Sequence, residues 1–149
     1  SAASDVYKRQ AEADVKVVLD TNVIVSAVMT AQGVCSQILD LLADGAFAVC
    51  ADDRLLDEYD TVLHRPALRI VAEDADIVLD LIRSAVEIAA AFPLPVELPH
   101  PADLPFLEVA ASAGAVLVTG NLRHYPRRAR AGVTVVTPRE FLDLLRRSA

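Results

Sequence analysis

Short β-branched runs alternate along this chain with longer amphipathic stretches, and that alternation narrows the possible folds more than any other feature. Residues 15–19 form a buried-strand signal that ends at Asp20, and residues 47–50, 116–119 and 133–136 repeat the signal. Between them the spacing predicts helices over 22–29, over 35–43, and from Asp52 or Asp53 to 63, the last closed by Arg65-Pro66. A long helix is predicted over 75–91, with Ile77, Leu81, Ile82, Val86 and Ile88 as its apolar set. A loop follows that carries Pro93, Pro95, Pro99, Pro101 and Pro105. Asp103 then opens a helix ended by Gly114, and Pro138 starts a C-terminal helix at its first position. Strands alternating with helices imply an α/β fold, with a parallel sheet covered on both faces. In such sheets the ligand crevice lies beyond the carboxyl ends of the strands. The residues to inspect are therefore Asp20, then Ala51-Asp52-Asp53, then Gly120-Asn121.

A length of 149 residues suits one domain with its own core, and 54% hydrophobic against 23% charged residues excludes a disordered chain. No apolar burst approaches the ~20 residues needed to span a bilayer. No secretory leader stands at the N-terminus, so the expected compartment is the cytoplasm. Cys35 and Cys50 sit among apolar neighbours and read as buried reduced thiols. Residues 1–14 carry no usable periodicity, and Asp5-Val6-Tyr7-Lys8-Arg9-Gln10 resembles translated sequencing-adapter DNA. That segment is read as a disordered or non-native extension, which leaves 15–149 as the domain. The net charge of −7 argues against a broad phosphate-binding surface. A carboxylate metal site, however, is itself negative until cations bind, and Arg123, Arg127, Arg128 and Arg130 crowd one short stretch.

Three acids stand out by position. Asp20 ends the first strand, although capping the next helix is the default role of a lone Asp there. Glu58 falls on the edge of the stripe formed by Leu55, Leu56, Tyr59, Val62 and Leu63, where an acid points along the protein rather than away from it. Asp103 sits at a helix start, again a capping position, but it follows a proline-stiffened loop. The helix it opens leads into the strand ending at Thr119, so both ends lie at one rim of the sheet. Three acids from separate segments could converge there, and such a cluster is costly unless cations or protons neutralise it. Oxygen-only clusters suit Mg²⁺ or Mn²⁺, which polarise a phosphodiester and stabilise its leaving oxygen. Neither cysteine has a nearby histidine, no G-x-S-x-G occurs, and His64, His100 and His124 lack a zinc spacing.

Four segments in order carry a likeness to a known family. Val18-Leu19-Asp20-Thr21-Asn22-Val23, Leu55-Leu56-Asp57-Glu58-Tyr59, Asp103-Leu104-Pro105-Phe106-Leu107-Glu108-Val109-Ala110 and Leu117-Val118-Thr119-Gly120-Asn121 resemble the PIN domain, in particular its VapC-like toxin branch. Ser26-Ala27, Arg65-Pro66 and Asn121-Leu122-Arg123-His124-Tyr125-Pro126 fit that branch as well. The resemblance spans about residues 15–145. It implies a three-layer α/β/α sandwich around a short, mainly parallel central sheet. It also implies a metal-dependent endoribonuclease, usually a homodimer neutralised by a cognate antitoxin. Carried over by position, Asp20 and Asp103 would bind Mg²⁺ or Mn²⁺, and Glu58 would hold a metal or its water. Asn121 stands where many members place a fourth acid, while Asn22 and Thr119 would support the site by hydrogen bonds. Arg123, His124, Arg127 and Arg128, on the loop leaving that rim, are the candidates to hold the RNA backbone.

Asn121 leaves the site one negative charge short of the four-acid version, and His100-Pro101-Ala102 precedes the third acid where relatives are richer in aspartate. His100 reads as an exposed loop residue that could ligate or contact phosphate. These departures motivate the competing reading, a catalytically weak PIN domain that binds RNA or antitoxin. A haloacid-dehalogenase-type phosphatase would need a second Asp two residues after Asp20, and Asn22 stands there. No glycine-rich phosphate loop follows any strand.

Overall fold

The strand-ending positions decide the architecture. A computed structural model describes residues 15–148. The reading of residues 1–14 as an extension lies outside the described residues. The strands are β1 (Lys16–Leu19), β2 (Ala48–Ala51), β3 (Val86–Ile88), β4 (Val116–Val118) and β5 (Val135–Val136). They form one sheet in the order β3-β2-β1-β4-β5, and every pair is parallel. The helices are α1 (Thr21–Met29), α2 (Val34–Ala43), α3 (Asp53–Leu63), α4 (Ala72–Ala85), α5 (Leu104–Ala113) and α6 (Pro138–Ser148). Together they make a three-layer α/β/α arrangement, with α5 lying against β1, β2 and β4. Val17, Val18 and Leu19 are fully buried, as a central parallel strand covered on both faces requires.

Local chemistry sets the helix ends. The Asp52 carboxylate accepts from Leu55 N at 3.1 Å and caps α3. Gly114 ends α5 at φ +65°, a left-handed turn that costs glycine nothing. At α6, Thr137 N donates to Glu140 Oε1 at 3.0 Å while Glu140 N donates to Thr137 Oγ1 at 3.1 Å. This reciprocal capping box opens the helix at Pro138.

The long helix expected over 75–91 is two elements. Helix α4 ends at Ala85, Val86 turns extended, and Val86–Ile88 is the edge strand β3. Val49 pairs with Val86, Cys50 with Glu87 and Ala51 with Ile88, and Ala89 N continues the ladder to Ala51 O at 3.0 Å. Val86 and Ile88 alternate as β-branched residues should, and the outer edge of β2 needs a partner for its backbone groups. The buried face of α4 is Ala75, Leu79 and Ile82, whereas Ile77 and Ile88 are exposed. Cys50 is buried in β2 and Cys35 is half-buried, with burial pushing both thiols up. No single helix among the described residues is long and apolar enough to cross a membrane.

Candidate metal centre

The register between β1 and β4 brings the rim residues together. Leu19 pairs with Val118, and Asp20 N donates to Val118 O at 2.9 Å. Asp20 and Thr119, the residues that follow the two strands, therefore stand side by side at the carboxyl edge, where strand order changes direction from β2 to β4.

Asp20 is buried at 4% exposure and does not cap α1. One oxygen, Oδ2, collects three side-chain donors. These are Thr119 Oγ1 at 2.9 Å, the Tyr125 hydroxyl at 3.0 Å and Asn22 Nδ2 at 3.5 Å. All three donors are neutral. Burial raises the Asp20 pKa above its ordinary 3.8, the Thr119 and Tyr125 bonds oppose that rise, and the nearby Asp103 carboxylate adds to it.

Asn22 and Thr119 form a frame around this carboxylate. Asn22 Oδ1 accepts from Gly120 N at 2.9 Å, and Asn22 Nδ2 lies 3.5 Å from Thr119 Oγ1. Thr119 Oγ1 also accepts from Asn121 N at 3.1 Å. A side chain at Gly120 would meet Asn22 Oδ1 at 3.3 Å, so glycine lets the loop close on the asparagine. The Asn121 side chain takes no capping bond and is half-buried.

Asp103, like Asp20, does not cap the helix it opens. Its Oδ2 instead receives His124 Nδ1 at 2.8 Å, and the His124 ring stacks on His100 with centroids 4.0 Å apart. Glu58 is half-buried on α3 and has no hydrogen bond or ion pair among the described residues. Asp20 and Asp103 thus feel each other, whereas Glu58 is not among the groups that shift Asp20. Among the described residues, no three His, Cys, Asp or Glu side chains are grouped closely enough to hold one ion. Arg123, Arg127 and Arg128 are exposed and pair with no acid among the described residues. Arg130 Nε donates to Tyr125 O at 2.8 Å and steadies the loop.

Glu108 shows what a compensated buried acid looks like in the same molecule. It is 6% exposed, and its oxygens take Arg54 Nη1 and Leu94 N, each at 2.9 Å. Among the described residues, Asp20 has no such cation. Its donors carry no charge, and its acidic neighbour makes the deficit worse. Burying a carboxylate this way is costly unless a cation or proton joins it. Asp20 and Asp103 offer hard oxygen ligands of the kind a divalent cation takes, without a third such group beside them among the described residues.

Residues 16–123 match the model of one family, described as PIN domain. The chain belongs to the PIN domain family. No curated protein matches it in sequence. Among solved structures its fold is similar to VapBC2 from Rickettsia felis, solved bound to a DNA fragment from their promoter. That likeness has 19% identity and a TM-score of 0.57, and covers 82% of this chain and 98% of the other. FitAcB from Neisseria gonorrhoeae is similar at 19% identity and a TM-score of 0.52, over 82% and 97% of the two chains. PAE2754 from Pyrobaculum aerophilum is similar at 18% identity and a TM-score of 0.58, over 89% and 90%.

Two tyrosines of this PIN domain touch the rim and were not singled out by sequence reasoning. Tyr125 donates to Asp20, and Tyr59 donates to Leu19 O at 2.6 Å, bracing the last residue of β1. Burial pushes both phenols well above the ordinary tyrosine value, so both hydroxyls stay protonated and can donate. The available signal was compositional: a tyrosine in an apolar stripe or a rim loop must find a partner for its hydroxyl.

Proposed function

We propose that this PIN domain is a Mg²⁺- or Mn²⁺-dependent endoribonuclease and the toxin of a toxin–antitoxin pair. The observation that carries the reading is Asp20, a buried carboxylate held by neutral donors beside a second acid. Asp20 and Asp103 would hold the ion, with Glu58 holding a water around it and Asn121 offering an amide oxygen. A divalent ion bound there polarises the phosphodiester and stabilises the leaving oxygen. Thr119, Tyr125 and Asn22 hold the Asp20 carboxylate in place through Oδ2. Asn22 and Thr119 also tie the loop at Gly120-Asn121 to the end of β1. Arg123, Arg127, Arg128 and His124 hold the RNA backbone on the loop leaving the rim.

The family and the fold likeness to VapBC2 support the toxin assignment and a cognate antitoxin, and we extend the reading to a homodimer in the cytoplasm. Cleavage of a mixed cellular RNA pool tests the enzyme. Wild type with Mg²⁺ or Mn²⁺ yields fragments that EDTA abolishes and that the Asp20→Asn variant does not produce. A folded wild type that cuts nothing with either ion overturns the enzyme. The second reading, a PIN domain that binds RNA or antitoxin without cutting, draws on Asn121 and on the lack of a third acid grouped with the two aspartates among the described residues. Restoring Asn121→Asp would then be the route to activity.

A further inference from the structure

Two histidines stack beside Asp103, and the outer one, His100, has no part in the reading above. His100 and His124 come from segments far apart in sequence, yet their rings lie 4.0 Å apart with planes inclined by 31°. The inner ring is pinned, because His124 Nδ1 is bonded to Asp103 Oδ2 at 2.8 Å. The outer ring is held from the backbone. His100 lies between Pro99 and Pro101, its φ and ψ are −119° and 102°, and its carbonyl accepts from Asp103 N at 3.0 Å. A residue preceding proline is confined to extended conformations, so this position loses little freedom when something packs on it. The His100 residue is exposed, and its side chain has no hydrogen-bond partner among the described residues. Its ring thus has His124 as its stacking neighbour while remaining accessible.

We infer that His100, backed by His124, is a stacking platform for one unpaired base of the RNA, next to the phosphate that Asp20 and Asp103 address. This rests on the nuclease reading. An aromatic ring takes any base by its face and reads no sequence, whereas in a duplex those faces are covered by neighbouring pairs. The platform therefore selects single-stranded segments, loops or frayed ends over paired RNA. It also supplies an uncharged contact in a protein whose net charge of −7 limits what phosphate attraction can contribute.

The test compares wild type, His100→Ala and His100→Tyr on a labelled 12-nucleotide single strand and on the same strand in a blunt duplex. Affinity is read by fluorescence anisotropy in EDTA, and KM is read in Mg²⁺. The expected result is that His100→Ala weakens single-strand binding about tenfold, or ~1.4 kcal/mol, and raises KM alike. Duplex binding and the salt slope stay unchanged, and His100→Tyr restores wild-type values. An Arg127→Ala/Arg128→Ala variant, by contrast, flattens the salt slope. Equal losses on both RNAs, a flattened slope for His100→Ala, or a tyrosine variant as weak as the alanine one overturns the platform. If wild type cuts RNA and His100→Ala matches it throughout, the platform fails and the nuclease stands. If wild type neither binds nor cuts RNA, the nuclease reading fails and the platform falls with it.

Discussion

Two aspartates in this molecule, Asp20 at the rim and Asp60 on α3, are shifted in opposite directions. At the rim, Asp20 is buried among neutral donors, and burial raises its pKa. On the far end of α3, Asp60 is exposed, receives Arg83 Nη2 at 2.8 Å and His64 Nδ1 at 2.9 Å, and sits below the ordinary carboxylate value chiefly through the Arg83 bond. His64 also reaches Asp76 at 3.2 Å, and the Asp60 carbonyl first, then Asp76, raises its pKa. The residue type is shared, while the partners and the burial differ. Asp60, near the surface, meets Arg83 and His64, while burial of Asp20 makes its charge a cost that neutral hydrogen bonds offset only in part. An ion pair in the open is a minor support for the fold, and a lone buried charge is a demand for a ligand.

The largest test of that contrast is Asp20→Asn. The amide keeps an oxygen for Thr119 and Tyr125 and removes the buried charge. The metal-free variant should therefore be more stable than wild type at pH 7 by about 1–2 kcal/mol, roughly 3–8 °C in Tm. The gap follows pH with a definite sign. Because the folded Asp20 pKa lies above 3.8, its stabilising proton is fully present below 3.8 and is lost as pH rises through the folded value. The two melting curves should thus converge on acidification toward pH 3.8, and Mg²⁺ should raise the Tm of wild type only. A gap that is flat with pH would break the comparison.

Tyr125→Phe comes next. Removing the hydroxyl takes away one of the two short bonds on Asp20 Oδ2 and should cost about 1–3 kcal/mol in chemical denaturation. The same substitution in an Asp20→Asn background should cost measurably less, because part of the bond's worth lies in the charge it meets. Equal costs in both backgrounds would mean that the tyrosine is there for packing alone.

The smallest effect belongs to His64→Ala. Its folded pKa is raised above 6.5, so its contribution is present below that value and disappears as pH rises through the folded one. Wild type should melt about a degree above the variant at pH 5.5 in low salt, with no difference at pH 9 and little in 1 M salt. A larger or salt-insensitive difference would mean that exposure does not separate the two clusters.

Much of this was legible beforehand, and the exceptions share a cause. The buried run before Asp20 marks a central strand by composition alone, and the parallel sheet follows from alternation. Whether Asp20 and Asp103 merely cap their helices was undecidable locally. The answer depends on the Leu19–Val118 register and on a histidine 21 positions after Asp103. Strand β3 was missed because three residues joined directly to a helix continue its apolar spacing, and only the unpaired edge of β2 turns them into a strand. Tyr125 was missed because its loop reads as charged, and the cavity that receives its ring is made by other segments. His100 was read as exposed, which it is, but stacking between residues 24 apart leaves no trace in a local pattern.

The bonds that define the rim have a consequence for the order in which the molecule comes into being. Thr119 and Tyr125 lie 99 and 105 residues beyond the Asp20 they hold. A chain growing from its N-terminus carries Asp20 through about a hundred further residues with nothing to fix it. The centre exists only once β4 has been made and has docked beside β1, so chemistry that depends on it waits for segments far downstream. A fragment that stops short of Tyr125 is not a weaker version of the molecule but one whose centre was never built.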